Sequence, residues 1–321
     1  MRRTAGLIAW SAAMALTSAG AHAQSYPTKP IRLVVPLAPG GPSDILARTV
    51  AAKVTEGIGQ SVIVDNRPGA GGSIGADIVA KAPPDGYTII LVSNSLSINA
   101  SLYPKLPYDT LRDLAPITLL AFAPYILTVH PSLPVKTPKE LIALAKSQPG
   151  QLNYASGGSG TGPHMAMEFF KLTTGTRLLH IPYKGAGPAL IDTIAGQCQV
   201  LMVNIIAGLP HVKGGRLRAL AVSSAKRASV APELPPLSDT IPGFDESGQH
   251  GILAPGGTSR EIVQRLNAEI VKALNSNEIK SRLAAEGAEV AGSTPEQYAA
   301  SLKSDVAKWA KVIKASGIKV D

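Results

Sequence analysis

Short apolar runs alternate along the chain with stretches in which apolar residues recur every third or fourth position. Residues 31–35, 62–64 and 87–92 are aliphatic runs that predict strands. Between the first two, Leu46, Val50, Val54 and Ile58 fall on one face of a predicted helix, and Ile74 and Ile78 mark the next helix. Strands this apolar are typical of a parallel sheet that helices cover on both faces. The first third of the chain therefore predicts an α/β lobe.

The middle of the chain repeats this alternation. Apolar runs predict four further strands, at residues 152–155, 178–181, 200–203 and 217–222. Helices led by Thr161, Ala186 and Ile206 lie between them, and a capping box with proline at the first helical position, residues 137–140, opens another. This second α/β set predicts a second lobe.

The last third carries helices without a full set of strands. Residues 224–250 are proline-rich and predict a long irregular connection, followed by a strand at 251–254. Capping boxes that begin at Thr258 and Thr294 open two amphipathic helices, which we expect to cover the first lobe. The predicted domains are a leader at 1–23, lobe 1 at 24–122 plus 248–321, and lobe 2 at 123–247, with crossings near 120–124 and 245–251.

Composition narrows the class of protein. The 321 residues are 45% hydrophobic, 17% charged and 4% aromatic, which is typical of a globular protein with a large aliphatic core. The net charge of +9 is spread along the chain without a block of cations, so a nucleic-acid partner is not expected. A mildly basic surface suits an anionic small molecule.

The first residues predict export. Arg2 and Arg3 precede an apolar stretch at 5–19, and an A-x-A site at 21–23 predicts cleavage after Ala23 and a periplasmic location. Cys198 is the single cysteine and cannot form a disulfide within the chain. Its apolar surroundings predict a buried, inert thiol.

Glycine and small hydroxyl residues follow the predicted strands in four loops, at residues 39–44, 93–95, 156–162 and 183–187. In open α/β sheets the crevice outside the carboxyl ends of the strands binds ligands. Each loop leads into a helix, whose free N–H groups and positive dipole end attract an anion. We expect a cleft that binds a carboxylate or a similar anion. The alternative is that the glycines only permit tight turns.

Motifs of enzymes and metal sites are absent from the sequence. No glycine loop completes a phosphate-binding or dinucleotide motif or a nucleophile elbow, and no histidine pair has metal-ligand spacing, so neither a cofactor nor a metal is predicted. The alternative function is a secreted serine hydrolase that uses Ser156 and His164, with Asp192. His164 follows a Gly-Pro pair at a helix start, so it either lines the cleft or is an ordinary surface or cap residue.

The motifs at 36–44, 66–72, 84–88, 183–185 and 209–213, together with the leader, resemble the Bug-type solute receptors of tripartite tricarboxylate transport systems. The resemblance covers nearly the whole mature chain. It implies an α/β periplasmic binding protein of the two-lobe Venus-flytrap class, with a ligand cleft between the lobes and no catalytic activity. It implies a monomer whose partners are a small organic acid and membrane transporter subunits or a sensor.

In that family the ligand carboxylate is held by main-chain amides, hydroxyls and waters, which implies a set of binding residues here. The lobe 1 residues are Ala38, Gly40, Gly41, Ser43, Ser93, Asn94 and Ser95. The lobe 2 residues are Ser156, Gly157, Thr161, His164, Gly185 and Asn204. Asn204 stands where some relatives have an acidic residue, which favours a plain carboxylate over a ligand with an amino group. Asp44 either complements the helix dipole or faces a cationic ligand group. Arg67 and Lys184 are the nearest cations, and we expect a structural or electrostatic background role for each rather than a direct clamp on the ligand.

Overall fold

The computed structural model describes residues 26–316 and residue 318. The predicted leader and its cleavage site after Ala23 lie outside these residues. Within the described part of the chain, no helix combines the length and the apolar character needed to cross a membrane.

The described strands form a ten-stranded mixed sheet flanked by helices. The strands are β1 (Ile31–Val35), β2 (Val62–Asn66), β3 (Thr88–Ser93), β4 (Leu114–Val129), β5 (Asn153–Ser156), β6 (Leu179–Pro182), β7 (Val200–Asn204), β8 (Arg218–Val222), β9 (Ser247–Pro255) and β10 (Glu289–Val290). The α-helices are α1 (Pro42–Ile58), α2 (Ser73–Ala80), α3 (Ser95–Leu102), α4 (Pro138–Ser147), α5 (Gly162–Thr174), α6 (Ala186–Ile194), α7 (Ile205–Lys213), α8 (Arg260–Leu274), α9 (Asn277–Ala285) and α10 (Pro295–Ser316).

Two groups of parallel strands form the two lobes. In lobe 1, β1 pairs in parallel with β2 and β3, and in lobe 2, β5 pairs in parallel with β6 and β7. The strand order is β2-β1-β3-β9-β4-β7-β5-β6, so β9 and β4 lie between the groups. Both run antiparallel to their neighbours, so the strands are parallel within each group and antiparallel at the centre of the sheet.

The long strand β4 connects the lobes. Its residues up to Pro124 pair with β9, whereas those from Tyr125 onward pair with β7 and β8. The change of partner falls between adjacent residues, so β4 belongs to the sheets of both lobes. The sequence interpretation had only a crossing near 120–124, where the structure has a strand of 16 residues.

Apolar spacing and capping residues in the sequence predicted the positions of most helices correctly. Leu46, Val50, Val54 and Ile58 are buried on α1, as their spacing predicts. Thr137 caps α4 by accepting a hydrogen bond from the Glu140 amide. A capping box also closes at α10, where the hydroxyl of Thr294 and the side chain of Gln297 each accept the other residue's amide N–H.

Several predicted details are wrong. Ile74 is 51% exposed, because α2 buries Ala76 and Val79 instead. The N-cap of α8 is Ser259 rather than Thr258, whose hydroxyl donates to the Pro255 carbonyl. Strand β9 begins at Ser247, inside the predicted irregular connection, and α9 and β10 were not predicted.

The C-terminal helices pack on lobe 1. Helix α8 contacts α1 and β4, and α10 contacts α3 and β4. Trp309 of α10 is buried in a cluster with Ile98 and Leu102 of α3 and with Met165 of α5. Because α5 follows β5 of lobe 2, this apolar cluster spans the two lobes. Cys198 is buried, as predicted.

Candidate functional site

A small cavity of about 40 Å³ lies where the loops of the two lobes meet. Part of the predicted set lines it: Ser43, Ser93, Asn94, Gly157, Thr161 and Asn204. The other lining residues are Leu37, Pro42, Tyr125, Pro163, Ala186, Leu201, Met202, Gly248 and His250. The structure thus brings the predicted loops to one place, together with residues of β4, β7 and β9 that sequence motifs did not indicate.

Helices of both lobes begin at this cavity. Gly41, Thr161 and Gly185 are the N-caps of α1, α5 and α6, and the first residues of these helices line the cavity. A helix N-terminus presents unsatisfied N–H groups and the positive end of the dipole. Their convergence from both lobes favours a negatively charged group in the cavity.

Charged side chains are absent from the cavity wall among the described residues. Arg67 forms an ion pair with Asp65, and the Lys184 side chain is exposed. Neither cation therefore lines the cavity, in agreement with their predicted background role. Any selectivity for anions must come from uncharged donors.

Asp44 binds its own helix rather than the cavity. Its carboxylate accepts a hydrogen bond from the Gly40 amide at 3.0 Å and pairs with Arg48 at 3.0 Å. Burial alone would raise the pKa of this carboxyl, but hydrogen bonds from Arg48, Gly40 and Asn66 hold it below its ordinary value. These contacts favour the helix-dipole interpretation of Asp44.

The loops of the two lobes touch directly. The Ala38 amide donates to the Lys184 carbonyl at 2.9 Å. A Cβ on Gly185 would lie 2.7 Å from the Ala38 nitrogen, and a Cβ on Gly187 would lie 2.3 Å from the Pro39 oxygen. Backbone approaches this close require glycine. Gly40 and Gly41 lie beside Gly187 and Ala186 in the same contact, so these predicted residues shape the closure instead of lining the cavity.

A second contact closes the other side of the cleft. The Tyr103 hydroxyl donates to the Ser159 carbonyl, and a Cβ on Gly71 would lie 2.3 Å from that oxygen. Tyr103 follows α3 of lobe 1, and Ser159 belongs to residues 157–162 of lobe 2, here called the glycine loop. The structure therefore shows the two lobes in contact around the cavity.

Ser156 and His164 lie behind the glycine loop and are not among the residues that line the cavity. The Ser156 hydroxyl lies 2.6 Å from His180 Nε2 and accepts the Gly158 amide. His164 Nδ1 accepts the Gly160 amide at 3.3 Å, and its ring contacts the His180 ring. Both residues are buried, so the interpretation of His164 as a surface residue is wrong. Their contacts position the loop backbone.

The hydrolase alternative gains no support from this arrangement. Ser156 is fully buried and lies beside His180, a histidine that the sequence interpretation did not select. The Asp192 carboxylate accepts a hydrogen bond from the Tyr183 hydroxyl at 2.7 Å.

Most polar side chains in the cavity wall already have partners within the protein. The Ser93 and Ser95 hydroxyls form a hydrogen bond with each other, and Asn94 Oδ1 accepts one from the Tyr125 hydroxyl. The side-chain oxygen Oδ1 of Asn204 accepts a hydrogen bond from the Ile206 amide. The Thr161 hydroxyl donates to the Gly158 carbonyl at 2.8 Å.

Two polar atoms of the wall differ from this pattern. Ser43 Oγ and His250 Nδ1 are buried without a hydrogen-bond partner among the described residues. Ser43 belongs to a predicted loop, whereas sequence motifs gave His250 no role. The signal that could have found His250 is its place in β9, but that strand was predicted to begin after it.

Comparisons with known proteins agree with this architecture. Residues 46–318 match the family described as "Tripartite tricarboxylate transporter family receptor". The chain is 39% identical over 306 residues to the "UPF0065 protein in tcbD-tcbE intergenic region" of Pseudomonas sp. (strain P51), covering 94% of this chain and 91% of that protein. It is 37% identical to "Protein BugT" of Bordetella pertussis, covering 100% and 99%.

Solved structures are similar over nearly the whole fold. "Structure of periplasmic binding protein BugD" has a TM-score of 0.90 at 33% identity, covering 92% of this chain and 100% of that one. "R. palustris Rpa4515 with adipate" has 0.89 at 36%, covering 92% and 100%. "MatC (Rpa3494) from Rhodopseudomonas palustris with bound malate" has 0.87 at 30%, covering 90% and 100%. Fold and sequence together show that the chain belongs to the receptor family of the tripartite tricarboxylate transporters.

Proposed function

We propose that this protein is a periplasmic receptor that binds a small organic carboxylate and delivers it to a tripartite tricarboxylate-type membrane transporter or to a sensor. The observation that carries the proposal is an uncharged cavity at which helix N-termini of both lobes meet. Two solved relatives hold the dicarboxylates adipate and malate, which supports the same ligand class here.

The carboxylate is bound in this proposal by neutral donors. The first turns of α1, α5 and α6 supply main-chain N–H groups, and Ser43 supplies a hydroxyl that has no other partner in the described part of the chain. Ala38, Gly40, Gly41 and Gly185 act by letting the two loops approach. Ser95, Ser156 and His164 act indirectly, because they hold Ser93 or the glycine loop.

Ligand entry requires the lobes to separate. A cavity of about 40 Å³ has room for on the order of three water molecules, which is less than a whole dicarboxylate needs. We place the moving units at 24–122 plus 248–321 and at 123–247, with β4 and β9 as the connecting strands. Closure around a ligand then restores contacts such as Ala38 to Lys184.

Calorimetry and thermal unfolding of the purified mature protein test this function. The ligands are malate, adipate and other linear dicarboxylates, here called the dicarboxylate panel, and the matching diamides are the uncharged controls. We expect stoichiometric binding of at least one acid, thermal stabilisation by it, compaction in small-angle scattering, and recovery of the acid unchanged. Failure of every acid to bind, or binding of a diamide as tightly as its acid, would contradict the proposal.

The cellular part of the proposal has a separate test. Fractionation of cells that express the full-length chain should place the protein in the periplasm, and its N-terminal sequence should begin at Gln24. Retention of the leader or a cytoplasmic location would contradict the export assignment.

A further inference from the structure

His250 lies on β9 at the cavity, in register with Ser93 of β3 and Ala121 of β4. The side chain is 2% exposed, and its Nδ1 atom has no hydrogen-bond partner among the described residues. A buried polar atom without a partner is costly, so such atoms are rare unless they serve a function. His250 lines the cavity, so a ligand group bound there lies beside the ring.

The imidazole is neutral in this environment. Burial lowers the pKa of His250 to about 4, so the ring carries no charge at neutral pH. A neutral imidazole offers one N–H donor and one acceptor nitrogen. It therefore matches the uncharged donors that line the rest of the cavity, since it can donate to an anion without forming an ion pair.

We propose that His250 binds the ligand carboxylate through a ring nitrogen, together with the hydroxyl of Ser43. This inference rests on the proposed function and adds a binding residue outside the loop motifs. Both side chains line one cavity of about 40 Å³, and in this proposal they contact the same carboxylate. The carboxylate is the group that all acids of the dicarboxylate panel share, so His250 contributes to the binding of each acid by a similar factor.

Removal of the ring nitrogens tests the role of His250. His250→Phe keeps a planar ring, and His250→Gln restores a neutral donor and acceptor. Affinity of the mature protein for the dicarboxylate panel is measured by calorimetry, and the melting temperature is measured without ligand. His211→Phe is the matched control, because His211 Nδ1 also lacks a partner within the described residues but does not line the cavity.

Affinity and melting temperature should respond differently to the loss of the ring nitrogens. We expect His250→Phe to weaken binding of each acid by about ten- to hundredfold, the effect of one hydrogen bond to a charged group. The melting temperature without ligand should stay equal or rise, because an unsatisfied buried group has been removed. His250→Gln should recover part of the affinity, and His211→Phe should bind as the wild type does. Ser43→Ala and His250→Phe together should lose less affinity than the two single losses combined, as expected for groups that share one partner.

Other results overturn the inference. Unchanged affinity in His250→Phe, or a loss confined to acids of one chain length, contradicts binding of the shared carboxylate. A lower melting temperature without ligand in His250→Phe indicates a structural residue. A wild type that binds no acid of the panel contradicts the proposed function and this role with it, whereas a wild type and a His250→Phe variant that bind equally contradict the role of His250 alone.

Discussion

The substitution Gly187→Ala should hinder closure of the two lobes without disturbing the folding of either lobe. Gly187 is the second residue of α6 in lobe 2, and the new Cβ would lie 2.3 Å from the Pro39 carbonyl oxygen of lobe 1. Its φ is not in the left-handed region, and alanine favours helices over glycine by about 0.5–1 kcal/mol in a helix interior. The substitution should therefore leave each lobe folded and hinder only their contact.

The binding free energy that is lost with that contact can be worked out from the geometry. Relief of the clash requires the two loops to move apart by about 1 Å, which stretches the 2.9 Å hydrogen bond between Ala38 and Lys184 beyond bonding distance. That bond contributes about 0.5–1.5 kcal/mol, and one lost hydrogen bond to the charged ligand contributes about 1.5–3 kcal/mol. The sum of roughly 2–4.5 kcal/mol corresponds to a loss of affinity of about thirty- to two-thousandfold.

Calorimetry with the dicarboxylate panel, small-angle scattering and thermal unfolding check this prediction. Gly57→Ala on α1 is the control, because its Cβ meets only the flexible end of the Glu269 side chain. We expect Gly187→Ala to lose affinity and compaction while its melting temperature without ligand is kept. If it binds with wild-type affinity, contact between these two loops is not required for binding and the closure mechanism is wrong.

Three further predictions concern neighbouring contacts. Met165→Ala should cost more free energy of ligand binding than free energy of unfolding without ligand, because Met165 packs across the lobes against Trp309. Calorimetry and thermal unfolding of the same variant measure the two losses. Thr161→Val should cost about tenfold in affinity by releasing the Gly158 carbonyl, and Thr161→Ser should retain wild-type binding in the same titration. Asp44→Asn should lower the free energy of unfolding at neutral pH. The Asp44 pKa is below its ordinary value of 3.8 in the folded state, so its stabilisation is present above that value and is lost as the pH falls through the folded pKa. Denaturation curves at neutral and strongly acidic pH should therefore differ between wild type and variant only at neutral pH.

Local interactions explain why much of the fold could be predicted. The helix α1 follows from apolar spacing, and α4 and α10 begin at capping residues whose partners lie within the same turn. The loops that meet at the cavity were found because glycine and hydroxyl residues follow apolar strands. These signals depend on neighbours in sequence, so no knowledge of the packing was needed.

The antiparallel centre of the sheet could not be derived in this way. Strand β4 contains two prolines and changes partner between Pro124 and Tyr125, so its apolar run does not show which strands it joins. The β9 strand begins in a proline-rich segment whose extended conformation depends on pairing with β4. Both strands are stabilised by pairing with residues that are distant in sequence.

The sequence by itself determined the α/β class, the family and the loops that supply helix N-termini to one edge of the sheet. Only the tertiary structure decided which residues reach the cavity: it brought His250 to the wall, kept Ser156 and His164 behind the glycine loop, and placed Gly187 against Pro39. The physical reason is that caps and periodicity are local, whereas a cavity between two lobes is defined by strand pairing and by backbone contacts between segments far apart in the chain.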